Sequence, residues 1–371
     1  MRPGAPDRSI PERDYDLHGI VGIRLVDASP AQAEAVALQI GVSDGTLRRA
    51  PDIVIRFVDR VPALAGIPFA DIGGTCEITC DRATSQIPLL VPIVNLTALG
   101  KGYLPLHASA FGMSGAGVIA AGASRGGKTG TLLAFMAHGA SYIGDDWVYV
   151  APDGATVFGL PGVMEVRHAY LQALPQYRAR LDPRERWRLR ALSLVERVDR
   201  GIPDGGRRPA LGAALRHRVR AALAQRLFTH VAPQQLFGAA ACPGTGTVNT
   251  VFVLFRHDAP DVTVRRIALQ DAVRHLMFSL RHEWQELVSS YLQSRIAAPG
   301  ACNELLEAHE ARLHEALAHA LVGKDTYAIG HPSPVPITKM YDTLRRLLPD
   351  QPIYSTGAVG CATPVAYRPS T

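Results

Sequence analysis

Hydrophobic and polar residues alternate regularly over the first part of the chain. The stretches IVGIRLVD, PDIVIRFVD and CEITCD have the period of half-buried β-strands, and SPAQAEAVALQIG has the period of a helix. Ser29 and Gly41 stand where that helix would begin and end. These patterns predict a small α+β domain over 19–85. The proline- and charge-rich segment 1–18 is predicted to be disordered.

A different pattern begins near residue 86. The apolar run PLLVPIVNLTALGKG predicts a buried helix, and strand-like runs then flank the turn-rich connection GMSGAG. The runs ASYI, WVYVA and TVFGLP follow with short breaks, which is typical of hairpins rather than of strict βαβ alternation. We therefore predict an α/β (α+β) core over 86–270 that is built on a mixed or antiparallel sheet.

The remaining segments are mostly helical in pattern. An arginine-rich helical insert is predicted over 165–235, and NTVFVLF and VTVRRIAL are two further predicted strands of the core. Apolar residues at helical spacing predict a helical C-terminal region over 271–350. The segment 351–371 is rich in Pro, Gly, Ser and Thr and is predicted to be a tail.

Composition and charge suggest a location and limit the partners. The first residues lack the apolar segment of a secretory signal, no apolar run is long enough to span a bilayer, and five scattered cysteines suit a reducing compartment. We therefore expect a cytoplasmic protein that is not bound to a membrane. Only four of the 39 basic residues are lysine, which we interpret as a genome-composition bias, so nucleic acid is not an expected partner.

The basic residues cluster over 178–226. A solvated helical face is the ordinary explanation for such a run, and a surface for nucleic acid, an acidic peptide or nucleotide phosphates is the alternative. Arg207 and Arg208 could close over a terminal phosphate, or simply belong to a solvated loop. The sequence leaves the oligomeric state open, a homo-oligomer included.

The chemistry concentrates in GASRGGKT, which matches the phosphate-loop pattern G-x-x-x-x-G-K-[ST] between a predicted strand and a predicted helix. Its glycines let backbone N–H groups face phosphate oxygens, its lysine would contact the β- and γ-phosphates of ATP, and its threonine would bind Mg²⁺. A glycine-rich turn without a ligand is the alternative. The predicted binding residues are Gly122, Ala123, Ser124, Arg125, Gly126, Gly127, Lys128, Thr129 and Gly130, with Lys128 also catalytic.

Two adjacent aspartates, Asp145 and Asp146, follow the predicted strand after the loop. Neighbouring side chains of an extended chain point to opposite faces, so one carboxylate can bind a metal while the other acts as a base toward an acceptor hydroxyl. A hairpin turn that favours aspartate is the alternative.

The segment 107–150 resembles bacterial HPr kinase/phosphorylase and its relatives, which include kinases of peptide-biosynthesis clusters. The resemblance rests on His107, GASRGGKT and GASYIGDDWV at that family's spacings. It implies a phosphate loop on the type of mixed sheet shared with phosphoenolpyruvate carboxykinase. It also implies Asp145 as catalytic base or acid, Asp146 as a Mg²⁺ ligand and His107 as the partner that tunes Asp145.

The stretch LPGVMEVRH preserves only a Glu-x-Arg fragment of the signature that follows the core in the bifunctional enzymes. Its Glu165 is either a second metal ligand or an ordinary charge at a strand end. We expect transfer of the γ-phosphoryl group of ATP to a hydroxyl, in first place a serine of a peptide or protein. The alternatives are a small-molecule kinase and a nucleotide-binding regulator or NTPase that transfers nothing. VFVLFRHD, ending at Asp258, is a weak match to the metal-binding strand of such NTPases.

Overall fold

The computed structural model describes residues 12–42, 45–61, 66–201 and 227–349. Three sequence predictions lie outside these ranges: the structure of 1–11, the arginine clamp of Arg207 and Arg208, and the tail. The described part of the chain is a mixed α/β protein with mixed sheets. None of the described helices is long and apolar enough to cross a membrane.

The N-terminal part is a four-stranded sheet with two helices. In chain order its elements are β1 (Arg13–Leu17), β2 (Val21–Val26), α1 (Pro30–Ile40), β3 (Ile53–Val58), β4 (Cys76–Asp81) and α2 (Leu90–Gly100), with a 3₁₀ turn at Phe69–Asp71. Strands β1 and β2 are antiparallel, and β2, β3 and β4 are parallel. The prediction of disorder is wrong for 13–17, because β1 pairs with β2 and buries Tyr15 and Leu17.

The rest of the described chain forms a larger sheet with helices on both faces. In chain order its elements are β5 (Leu104–Met113), β6 (Ala116–Gly122), α3 (Lys128–Met136), β7 (Ser141–Gly144), β8 (Trp147–Val150), β9 (Thr156–Gly159), β10 (Met164–Arg167), α4 (His168–Ala173), α5 (Pro175–Ala179), α6 (Pro183–Gly201), β11 (Phe228–Val231), α7 (Pro233–Phe237), β12 (Thr245–Thr247), β13 (Thr250–Arg256), β14 (Thr263–Arg266), α8 (Leu269–Ala297), α9 (Glu304–Glu307), α10 (His309–Leu321), β15 (Asp325–His331) and α11 (Ile337–Leu344). Short 3₁₀ turns lie at Ala239–Ala241 and Arg345–Leu347.

Nine described strands form the central sheet in the order β12-β9-β8-β5-β6-β13-β15-β14, with β7 also paired to β5. Strands β6, β13 and β15 are parallel neighbours, while β5 and β14 run antiparallel beside them. The sheet is therefore mixed, as its sequence pattern predicts. The carboxyl ends of the three parallel strands meet at one edge, where ligands bind in open α/β sheets.

Strands β7 and β8 do not form the predicted hairpin. Both strands instead pair antiparallel with β5, so the segment 141–150 lies alongside β5. The pairing register shifts between Ala110 and Phe111, and Asp146 adopts a left-handed backbone conformation with φ of 70°. The aspartates therefore lie in a kink of a long strand and not in a turn between two paired strands. Strands β8 and β9 do form an antiparallel pair, as predicted.

The prediction of an all-helical C-terminal region is wrong at β15. This strand lies between β13 and β14 in the central sheet, and its buried stretch ThrTyrAlaIleGly is too short to show whether it is helix or strand by periodicity. The helix α8 packs on the same sheet, and one apolar cluster joins it to α2 and the N-terminal sheet. The two predicted domains thus share one core.

The arginine-rich insert has strands at both of its ends. Strand β10 pairs antiparallel with β11, and the helices α4, α5 and α6 lie between them in sequence. Apolar residues of this insert pack in a second cluster with α3, on the face of the central sheet opposite α8. The insert therefore covers the helix that follows the phosphate-loop motif.

Candidate functional site

The phosphate-loop motif has the predicted strand–loop–helix context. It leaves β6 at Gly122 and enters α3 at Lys128. A Cβ atom at Gly122 would lie 2.4 Å from the carbonyl oxygen of Leu254 on β13, so the loop needs glycine there to approach its neighbour. Gly127 has φ of 97°, and a Cβ atom on it would lie 2.4 Å from Nε2 of His331. These positions explain why the loop is built from glycine.

Lys128 is nearly buried beneath the loop. Its ammonium group donates to the carbonyl oxygens of Gly122, at 3.1 Å, and of Ala123, at 3.0 Å. Among the described residues this uses two of its three N–H donors and leaves one for an anionic oxygen. Burial lowers the pKa of Lys128, while Glu283 and the two aspartates oppose that shift.

Thr129 and Asp145 form the pair of oxygen ligands that a hard cation prefers. The Thr129 hydroxyl donates to Oδ2 of Asp145 at 3.0 Å, and the Ser109 hydroxyl donates to Oδ1 of the same carboxylate. Burial raises the pKa of Asp145 to about 6; the charge of Asp146 adds to the shift, and the two hydroxyl donors oppose it. The buried carboxylate is thus one that a nearby cation would stabilise in its ionised form.

Asp146 faces a different set of partners. Its Oδ1 lies 3.2 Å from Nε2 of His107, and Nδ1 of His107 lies 2.5 Å from Oε1 of Glu283. Burial lowers the pKa of His107, but its close contacts with the two carboxylates raise it more. The ring of Trp147 stacks on that of His107, with centroids 5.5 Å apart. The His107 ring thus lies between two carboxylates, which favour its protonated form.

The predicted pairing of His107 with Asp145 is wrong. Strand pairing places His107 opposite Trp147, and the backbone N–H of Ala108 donates to the carbonyl oxygen of Asp146 at 3.0 Å. The kink turns the side chain of Asp146 back toward β5, and Asp145 turns toward α3. The two carboxylates do face different partners, as the sequence predicts, but the partners are exchanged. Asp145 contacts Thr129, and Asp146 contacts His107.

Glu165 is not part of this cluster. It lies on β10, and its ion pair is with Arg167 at 3.8 Å; among the described residues it has no bond to Thr129, Asp145 or Asp146. Asp258 lies beyond the end of β13 and is exposed. In the described ranges, no group of three or more His, Cys, Asp or Glu side chains could hold a metal alone. The pair Thr129 and Asp145 fits Mg²⁺, which keeps several waters and phosphate oxygens among its ligands.

Sequence reasoning missed four residues that contact the loop or the carboxylates. Ser109 lies two positions after His107 on β5. Ser279 and Glu283 lie one turn apart on α8, where Ser279 donates to the carbonyl oxygen of Gly122 at 2.9 Å. His331 donates to the carbonyl oxygen of Gly126 at 2.7 Å. The one available signal was the i, i+4 spacing of Ser279 and Glu283 beside the apolar face of α8.

Comparisons with known proteins add no family. No protein-family model matches the chain, and no curated protein sequence matches it. The resemblance to HPr kinases stays a prediction from the motif segment. The functional conclusion therefore depends on the geometry of the loop and the carboxylates.

The raised pKa of Asp145 predicts a stability that depends on pH in the absence of Mg²⁺ and nucleotide. The folded protein, with a pKa of about 6, holds this proton more tightly than the unfolded chain, at 3.8. Stability therefore falls as the pH rises from about 4 to 6, by up to about 3 kcal/mol for a shift of about two units. Urea unfolding at a series of pH values measures it.

Asp145→Asn should remove this pH-dependent part of the free energy of unfolding. The stability of the variant relative to wild type should therefore increase as the pH rises. Asp258→Asn, at an exposed position, is the matched control and should follow wild type. A difference between wild type and Asp145→Asn that stays constant from pH 4 to 7 would contradict the shift.

Proposed function

We propose that this protein is a Mg²⁺- and ATP-dependent kinase that transfers the γ-phosphoryl group to a hydroxyl. The observation that carries the proposal is the 3.0 Å contact between Thr129 and Asp145, directly after a glycine-rich loop whose lysine is buried beneath it. A phosphate-loop hydroxyl beside a carboxylate is the arrangement that holds Mg²⁺ in phosphoryl-transfer sites. The mixed sheet is compatible with the fold that the resemblance to HPr kinase implies, which we include in the proposal.

The contacts suggest a division of labour between the aspartates. Thr129 and Asp145 hold the metal, which would neutralise charge on the phosphates when bound. Asp146, with a side chain 67% exposed, accepts the proton of the acceptor hydroxyl. The acceptor O–H bond breaks as the oxygen bonds to phosphorus, and ADP is the leaving group. His107, fixed by Glu283, orients the Asp146 carboxylate.

The acceptor is proposed to be a serine of a peptide or protein in the cytoplasm, with a small-molecule hydroxyl as the alternative. The exposed position of Asp146 and the arginine-rich insert, which packs on the side of α3, support a macromolecular acceptor. A non-transferring NTPase is less well supported, because β13, the parallel neighbour of β6, carries no carboxylate at its end. Incubation with γ-labelled ATP and candidate acceptors, followed by mass spectrometry, tests the class.

Lys128→Ala should weaken binding of Mg-ATP and abolish transfer, because the variant loses the one ammonium group beneath the loop. Calorimetric titration with ATP and an unfolding curve measure binding and folding separately. Lys324→Ala, which removes another partly buried lysine far from the loop in sequence, is the control. Equal ATP affinity and equal transfer in wild type and Lys128→Ala would refute the proposal.

Replacing each aspartate separately tests the division of labour. Asp146→Asn should keep ATP affinity and lose about 10²- to 10⁴-fold in transfer rate, the usual contribution of a positioned base. Asp145→Asn should raise the Mg²⁺ concentration needed for half-maximal rate. Rate measurements across a Mg²⁺ titration distinguish the two. Identical Mg²⁺ dependence in both variants would mean that the assignment is wrong.

Glu283→Gln should shift the pH–rate profile. The carboxylate raises the pKa of His107, so its removal lets the imidazolium lose its proton at lower pH, and the limb that follows His107 moves to lower pH. The matched control is Glu286→Gln, at an exposed position nearly one turn further along α8. A reduced rate with an unshifted profile would show that Glu283 has only a structural role.

A further inference from the structure

The strand beside the phosphate loop ends in an arginine. Strand β13 is parallel to β6, and Leu254 is paired with Gly122, where the loop begins. Arg256 lies two residues further on, so its side chain is on the same face of the sheet as that of Leu254. That face carries the apolar cluster of α3. Arg256 is therefore at the carboxyl edge of the sheet, on the side where α3 begins.

The neighbours of Arg256 also contact the loop. Its partner across the parallel pair is His331, whose Nε2 donates to the carbonyl oxygen of Gly126. The hydroxyl of Tyr170 lies against Gly130 in the first turn of α3, where an added Cβ atom would be 2.9 Å away. Burial raises the pKa of Tyr170, and the charges of Arg167 and Arg256 oppose that shift. The charge of Arg256 thus acts on Tyr170, which lies against the first turn of α3.

Arg256 is exposed and has no carboxylate partner among the described residues. Arg266, by contrast, lies 2.6 Å from Asp325 on the neighbouring strand. The guanidinium fork of Arg256 is consequently available to an anion, and phosphate oxygens match its geometry.

We propose that Arg256 binds the terminal phosphate of the nucleotide and makes the site prefer a triphosphate over a diphosphate. This inference rests on the proposed function. Strands β5 and β13 lie on opposite sides of β6, so His107 and Asp146 flank the loop on one side and Arg256 on the other. The terminal phosphate, contacted by Lys128 from beneath the loop, would meet the arginine on the side opposite the carboxylates.

The test compares the dissociation constants of ATP and ADP, both with Mg²⁺, in wild type and in Arg256→Gln. Loss of a charge-assisted hydrogen bond should raise the ATP constant by about 10- to 100-fold and leave the ADP constant within about twofold. The matched control is Arg265→Gln, an exposed arginine on β14 in the same sheet, which should leave both constants unchanged. Thermal unfolding confirms that each variant is folded.

Three outcomes would overturn the inference. Equal weakening of ATP and ADP would place Arg256 at an inner phosphate or make it structural. Unchanged ATP affinity with a raised KM for the acceptor would assign the arginine to an anionic acceptor. Unchanged values throughout would make it a solvated side chain. Failure of the proposed function is distinguishable: loss of the nucleotide site would leave wild type itself unable to bind either nucleotide, and absence of transfer appears in the labelling assay and leaves this comparison of dissociation constants unaffected.

Discussion

The kink at Asp145 and Asp146 is the constraint on which the site depends. A regular strand opposite β5 would place successive side chains on opposite faces of the sheet, and only one of the carboxylates could reach the loop. The register shift and the left-handed conformation of Asp146 instead leave both at the same edge with different partners. Thr129 holds one carboxylate and His107 the other, so two chemical roles become separable within two consecutive residues.

The C-terminal half of the chain fixes the loop from three directions. Ser279 of α8 and His331 of β15 bond to loop carbonyl oxygens, and the backbone of β13 lies too close to Gly122 for any larger residue. These elements are held by a core that extends without a break from the N-terminal sheet to α10. The geometry of the loop is therefore a property of the whole sheet and not of its local sequence.

The sequence alone predicted the loop, the mixed sheet and the two carboxylates, because each has a local signature in spacing or periodicity. It did not predict Glu283 at His107, because that contact joins residues far apart along the chain. The predicted partner of His107 was also wrong. The left-handed conformation of Asp146 determines which of the two adjacent aspartates faces His107, and the hydrophobic pattern of a sequence does not show such a conformation. Strand β15 was missed because a short apolar run has no distinctive period.

Three carboxylates, those of Asp145, Asp146 and Glu283, lie around the ammonium group of Lys128 in the described chain. His107 contacts Asp146 and Glu283, while the ammonium group of Lys128 donates to the carbonyl oxygens of Gly122 and Ala123. Asp145 accepts from the hydroxyl groups of Ser109 and Thr129 and has no ion pair among the described residues, and burial raises its pKa. A divalent ion at Thr129 would favour the ionised form of Asp145 and so lower its pKa. Metal binding and proton release are thereby coupled at one carboxylate.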